Sequence, residues 1–240
     1  MSRMLALRSA SPTRLPDAVR EQFLALAEVH SDGWGSAGVE GKGPLRSASG
    51  PTASDLRSAS MSPRTAALYY LRLASSGSPV TPENLQPFPR GDLAFMHNGA
   101  LVPYATGLAA LSAAERRDLR GTSDSELYAS LVLRALASGR GELRERIRRG
   151  VDTVRELYPA ACLNAMLIVE GRLVVIASRG TVPAPVDALA RRGVSLTADE
   201  VDVYNRLFRT RTDDGVQFVA TTGIDVSGWE EIPDDEVVVL

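Results

Sequence analysis

Four short stretches of this 240-residue chain carry polar residues where a strand or turn would ordinarily be apolar: HSDGWG (30–35), LRLASSG (71–77) with ENLQPF (83–88), MHNG (96–99) and TSDSE (122–126). The chain also starts its first strand at once, with Ser2 directly after Met1. The residue types have definite chemistry. A guanidinium such as Arg72 forks onto a carboxylate in bidentate fashion. A carboxylate at a helix start, such as Asp124, can pair with a cation. Each stretch also has an ordinary explanation. A His at a helix end pairs with a terminal carbonyl, Asn-Gly is a common hairpin turn, and Ser-Asp before a helix is a common N-cap. An isolated Arg in a strand usually points to solvent.

The elements that must position these residues follow from the apolar pattern. RMLALR (3–8) alternates weakly and suits a strand. PDAVREQFLALAEVH (16–30) opens with Pro16 and Asp17 and spaces Val19, Phe23, Leu26 and Ala27 as a helix does. DGWGSAGVEGKG (32–43) reads as a glycine-rich strand. Residues 43–63 are rich in Ser, Gly and Pro and read as a loop with one short helix. Strands are expected over 65–74 and 91–99, the second ending at the turn signal Asn98-Gly99. A helix over 122–139 should begin with a capping box from Ser123 to Glu126 and stop at Gly139. A second helix over 141–159 aligns Leu143, Ile147, Val151, Val154 and Leu157 on one face. Residues 162–180 read as two strands joined at Glu170-Gly171. Further strands are expected at 201–209, 216–221 and 236–240. Strands, then two helices, then strands is the order of an α+β chain, with two sheets and helices outside them. No internal repeat or domain break is visible, so residues 1–240 are expected to form one domain.

Bulk properties narrow the function. The formal net charge is −2, which gives no reason to expect nucleic acid or an anionic membrane surface. No apolar run approaches the roughly 20 residues of a membrane span, and the N-terminus is too polar for a signal peptide. Cys162 is the only cysteine, so no internal disulfide can form and a cytoplasmic location is expected. Cys162 itself reads as a small core hydrophobe. Lys42 is the only lysine, a matter of codon usage. With only His30, His97 and Cys162, a structural zinc site is not expected, nor is any cofactor; no phosphate-binding glycine loop is present.

Taken together, HSDGWG, NLQPF, HNG and TSDSE, in this order and spacing, resemble the class II glutamine amidotransferases of the N-terminal-nucleophile hydrolase superfamily, and most closely the small stand-alone members that begin Met-Cys-Arg. The resemblance covers position 2 to about position 135 and, more loosely, the final GWEEIP…VVVL. It implies a four-layer αββα sandwich. It also implies that Met1 is removed, that Ser2 is the nucleophile and that its α-amine, with a pKa near ~8, is the base. By the same resemblance, the Asn98 side-chain amide and the Gly99 N–H form the oxyanion hole. Arg72 holds a substrate carboxylate, Asp124 holds its ammonium, and Ser75 and Ser76 add hydroxyl contacts. Asp32, Gly33 and Trp34 support the strand behind the nucleophile.

The family pattern is broken at three places. Position 2 is Ser where the family has Cys; a natural serine nucleophile, an engineered replacement and a lost catalytic step all fit. Gln86 stands where the family usually has His. No synthase domain is recognisable, so ammonia released here is expected to find no acceptor on this polypeptide, and a separate synthase subunit is a candidate partner. Two functions follow. One is an amidohydrolase acting on glutamine or a small γ-glutamyl amide. The other is a catalytically silent subunit that binds ligand or partner.

Overall fold

The computed structural model describes residues 2–52, 54–60, 62–75 and 77–240. Two antiparallel sheets lie face to face. The first runs, edge to edge, through β11 (Glu230–Glu231), β9 (Leu207–Arg211), β10 (Gln217–Thr221), β1 (Arg3–Thr13), β4 (Arg64–Leu71), β2 (Trp34–Val39) and β3 (Arg46–Gly50). The second runs through β12 (Glu236–Val239), β8 (Arg172–Ala177), β7 (Asn164–Val169), β6 (Leu93–Asn98) and β5 (Phe88–Arg90). Helices α1 (Asp17–Ala25) and α2 (Ser54–Ser60) cover the outer face of the first sheet. Helices α3 (Tyr104–Ala110), α5 (Asp124–Ala137) and α6 (Leu143–Leu157) cover the outer face of the second, with the short α4 (Ala113–Asp118) joining α3 to α5. The result is the expected αββα sandwich.

The strand pattern explains why β1 alternates so weakly. Met4 and Ala6 face the second sheet, in one core with Leu68, Tyr70, Met96 and Met166. Leu5 and Leu7 face the helices, in another core with Phe23, Leu56 and Leu71. Both faces are buried over residues 4–7, so that run is apolar throughout. β1 pairs with β4 from Arg3 and with β10 from Leu5, and the Met4 N–H donates to Thr221 Oγ1, so the start of the strand is held on both sides.

Most expected elements are present, several with different limits. The segment at 43–63 contains the expected short helix but also β3, an exposed edge strand whose Ser, Ala and Gly residues give no apolar signal. The strand expected at 201–209 begins instead as α8 (Ala198–Val203). A capping box between Thr197 and Glu200 starts that helix, and β9 follows at Leu207. The expected Ser123–Glu126 capping box is not formed. Ser123 makes no side-chain cap bond. The buried Glu126 carboxylate instead accepts the backbone N–H groups of Arg120 and Gly121, both at 2.9 Å, and pairs with Arg90. It satisfies the loop before the helix rather than the helix itself. Asn98-Gly99 ends β6 but makes no hairpin: the chain runs on to α3, and Asn98 pairs with Asn164 of β7. Glu170 and Gly171, both at positive φ, do form the β7–β8 turn.

Candidate active site

Side chains alternate along a strand, and that parity assembles the site at one end of the space between the sheets. Ser2 shares the inner face with Met4 and Ala6, Asn98 with Ala94 and Met96, and Arg72 continues the inner face of Leu68 and Tyr70. Ser2 is buried, and its Oγ accepts two hydrogen bonds, from the Tyr70 hydroxyl at 2.6 Å and the Leu73 N–H at 3.2 Å. The Tyr70 oxygen accepts in turn from Gln86 Nε2 at 2.9 Å, and Gln86 Oε1 accepts the His97 N–H at 2.6 Å. This chain links the first sheet to the strand that ends in Asn98.

Asn98 is 0% exposed, and neither its Oδ1 nor its Nδ2 has a hydrogen-bond partner among the described residues. An unpaired buried amide is costly, about 1–3 kcal/mol, so one left open is either a defect or a donor held for a ligand. Gly99 follows where a side chain cannot fit: a Cβ there would lie 1.9 Å from the Cys162 carbonyl oxygen. His97 points to the opposite face. It bonds the Ser125 hydroxyl through Nδ1 and the Cys162 carbonyl through Nε2, both at 2.9 Å, so Nε2 carries the proton. Its ring meets Tyr128 edge-on.

Arg72 is buried. One guanidinium nitrogen, Nη2, donates to Ser78 Oγ at 3.0 Å and the Pro79 carbonyl at 2.9 Å, while Nη1 is buried without a partner among the described residues. Asp124 heads α5. Its Oδ2 accepts the Leu101 N–H at 2.6 Å and its Oδ1 the Ser125 N–H at 2.9 Å. Arg72 and Asp124 both act electrostatically on Tyr70, which places a cation and an anion in the surroundings of Ser2. Ser75 is exposed and lines a cleft of about 790 Å³ with Leu73, Ala74, Ala100 and the loop from Val182 to Ala188. Ser76 lies outside the described residues.

Asp32 is a support, as expected. Its carboxylate accepts the Ala74 N–H at 2.8 Å, and Arg192 Nη2 donates to both of its oxygens, at 2.9 and 2.8 Å. Burial pushes its pKa up, but these hydrogen bonds outweigh that and hold it below the usual carboxylate value. The pair ties the segment after α7 (Val186–Ala190) to the backbone beside Ser2. Gly33, at φ 117°, accepts the Arg72 N–H at 2.8 Å.

The other titratable candidates are silent. Burial, reinforced by Arg3, lowers the His30 pKa to about 3, too weak for a base at neutral pH. Its Nδ1 bonds the Leu26 carbonyl at 3.1 Å, the ordinary helix-end role. Burial raises the Cys162 thiol to about 11, and the thiol donates to the Asn98 carbonyl. Burial also lowers His97. These two neutral histidines predict acid lability. The unfolded chain takes up their protons below pH ~6.5 and the folded chain does not. Stability is therefore fully present above pH ~6.5. It falls by about 1.4 kcal/mol per pH unit for each imidazole still neutral in the fold, and for His30 the loss continues down to about 3. Urea midpoints at pH 7 and pH 5 check this; His30→Leu should reduce the difference, and equal midpoints in the parent would contradict it.

Sequence reasoning missed Tyr70 and the Leu73 N–H as partners of Ser2. The available signal was parity: Tyr70 lies two residues before Arg72 and must share its face.

The sequence profile of the family described as "Glutamine amidotransferases class-II" matches residues 1–240. A comparison with curated proteins gives no match. Among solved structures, the fold is similar to the glutamine phosphoribosylpyrophosphate amidotransferase of B. subtilis complexed with ADP and GMP (TM-score 0.67, 18% identity), covering 99% of this chain but 46% of that one. This chain thus spans about half the length of that enzyme. It is also similar to a glutamine aminotransferase class-II domain protein from Silicibacter pomeroyi (TM-score 0.61, 14% identity, 99% and 94% of the two chains). A third is a predicted glutamine amidotransferase from Pseudomonas aeruginosa PA01 (TM-score 0.58, 18% identity, 98% and 96%). The match along the whole chain, on a sandwich that brings Ser2, Arg72, Asn98 and Asp124 to one end, establishes that this protein belongs to the class II glutamine amidotransferases.

Proposed function

We propose that residues 1–240 form one catalytic domain that hydrolyses the side-chain amide of glutamine or of a small γ-glutamyl amide. The observation that carries this is the Asn98 amide, fully buried and without a partner among the described residues, at the end of the inter-sheet space that also holds Ser2. With Met1 removed, Ser2 Oγ attacks the amide carbon while its proton passes to the freed α-amine. The carbonyl π pair moves onto oxygen, where Asn98 Nδ2 and the Gly99 N–H meet the charge. Collapse breaks the C–N bond, the amine leaves with the proton from the α-ammonium, and a γ-glutamyl ester remains on Ser2. Water, activated by the same α-amine, cleaves that ester to release the acid.

Arg72 Nη1, without a partner among the described residues, is the donor for the substrate carboxylate, and Asp124 is the partner for its ammonium. Ser75 lines the approach. The cleft adjoins this site through Leu73, Ala74 and Ala100, without Ser2, Arg72, Asn98 or Asp124 in its lining, and in this reading it takes the amine portion of the substrate. No helix among the described residues is long and apolar enough to cross a membrane; a cytoplasmic enzyme, alone or with a separate synthase subunit that takes up ammonia, is the setting this reading favours.

Serine at the nucleophile position favours a second reading, a silent ligand-binding subunit. The test of the clamp serves both. Arg72→Ala should weaken glutamine binding by about 30-fold or more, and Asp124→Asn should act likewise, since an interfacial charge left unpaired costs ~2–5 kcal/mol. Calorimetry with glutamine and small γ-glutamyl amides reads this. Unchanged affinity in both variants would remove the clamp from this site.

A further inference from the structure

We propose that the Tyr70 hydroxyl, aimed by Gln86, is a catalytic donor to the position-2 nucleophile that stabilises its anionic form and so lets a serine serve where the family uses cysteine. This rests on the hydrolase reading above and deepens it.

The direction of every hydrogen bond in the network is determined. The His97 main-chain N–H can only donate, so the atom of Gln86 facing it at 2.6 Å is the carbonyl oxygen. Gln86 therefore turns its NH₂ toward Tyr70, 2.9 Å away, where the phenol oxygen accepts. The single phenolic proton is left for Ser2 Oγ at 2.6 Å. The Leu73 N–H is a second fixed donor to the same atom. Ser2 Oγ thus accepts two hydrogen bonds, and its own proton is free to leave toward the α-amine. Two donors on an oxygen favour its negatively charged form, as they do for a carboxylate. Tyr70 gives a hydrogen bond and keeps its proton: burial raises its pKa to about 12.

The network is built at both ends. Tyr70 and Gln86 are both buried. Gln86 is pinned from behind as well, because Gly35 leaves room for its backbone: a Cβ at Gly35 would meet the Gln86 carbonyl oxygen at 1.9 Å. The charged and titratable groups around position 2 are its own α-amine once Met1 is removed, Arg3 on β1, Arg72 after β4, Asp124 on α5 and the Asp32–Arg192 pair, with neutral His30 before β2 and neutral His97 on β6. A Tyr70 substitution leaves all of them in place, so its effect on position 2 is that of the hydroxyl.

Two measurements test the proposal. In the parent protein, Tyr70→Phe should lower kcat for γ-glutamyl amide hydrolysis by about 10–100-fold with KM little changed, the effect of deleting one hydrogen bond to a charged group. In the Ser2→Cys protein, the rate of iodoacetamide alkylation of the position-2 thiol, read on the N-terminal peptide by mass spectrometry, is followed against pH. Adding Tyr70→Phe should move the midpoint of that profile up by about one pH unit. Gln86→Met, which frees the phenol to rotate, should move it the same way by less. An unchanged alkylation profile in Tyr70→Phe overturns the proposal, whatever happens to kcat. If neither the parent nor the Ser2→Cys protein hydrolyses any γ-glutamyl amide, the hydrolase reading fails, and the alkylation profile still decides whether Tyr70 acts on position 2.

Discussion

Replacing Asn98 by alanine is expected to lower kcat for amide hydrolysis by about 10²–10³-fold, the usual effect of removing one oxyanion donor, while leaving thermal stability unchanged or raised. The second half of this expectation is the unusual one. Most buried substitutions destabilise. Here the side chain has both polar atoms buried and unpaired among the described residues, so removing it relieves a desolvation penalty of about 1–3 kcal/mol. That offsets the small cavity left behind, worth roughly 24 cal/mol per Å³. Melting temperature and steady-state kinetics on the same preparation separate the two effects. A large fall in melting temperature would show that Asn98 holds the fold together instead of serving a reaction.

The largest loss is expected at Ser2. Ser2→Ala removes the attacking atom, so hydrolysis should fall to background, a loss of at least about 10⁴-fold by analogy with other activated nucleophiles. Glutamine binding should persist, because Arg72 and Asp124 are untouched. Ser2→Cys should keep or raise activity, since a thiol is partly ionised near neutral pH and more nucleophilic than a hydroxyl. Rates with a γ-glutamyl amide, together with calorimetry, check both. Residual hydrolysis in Ser2→Ala at the parent's rate would place the nucleophile elsewhere.

Much of the architecture could be read from residue patterns because the relevant elements are buried in simple ways. The α6 stripe of Leu143, Ile147, Val151 and Val154 is buried as its spacing requires. The β7–β8 hairpin is marked by two apolar runs around Glu170-Gly171. What was not legible depended on partners distant in the chain. Edge strand β3 is held by pairing with β2 and has no apolar face to announce it. Glu126 has the spacing of a capping box, but the loop before α5 folds back and takes its carboxylate. At the site, Arg72 and Asp124 stand out by residue type and by the family resemblance. The Tyr70–Gln86–His97 link does not, because it forms only when the two sheets pack and bring residue 70 against residues 86 and 97.

The central claim is that Ser2, freed of Met1, is the residue that takes the γ-glutamyl group. It is tested most directly by intact-mass and peptide mapping of the protein after treatment with a glutamine analogue that carries a diazomethyl ketone in place of the amide, which loses N₂ as the nucleophile's oxygen is alkylated. The account predicts a chain lacking Met1, with a single adduct on Ser2 that is lost in Ser2→Ala and strongly slowed in Asn98→Ala. Quantitative retention of Met1, or an adduct on any other residue with Ser2 unmodified, would contradict it.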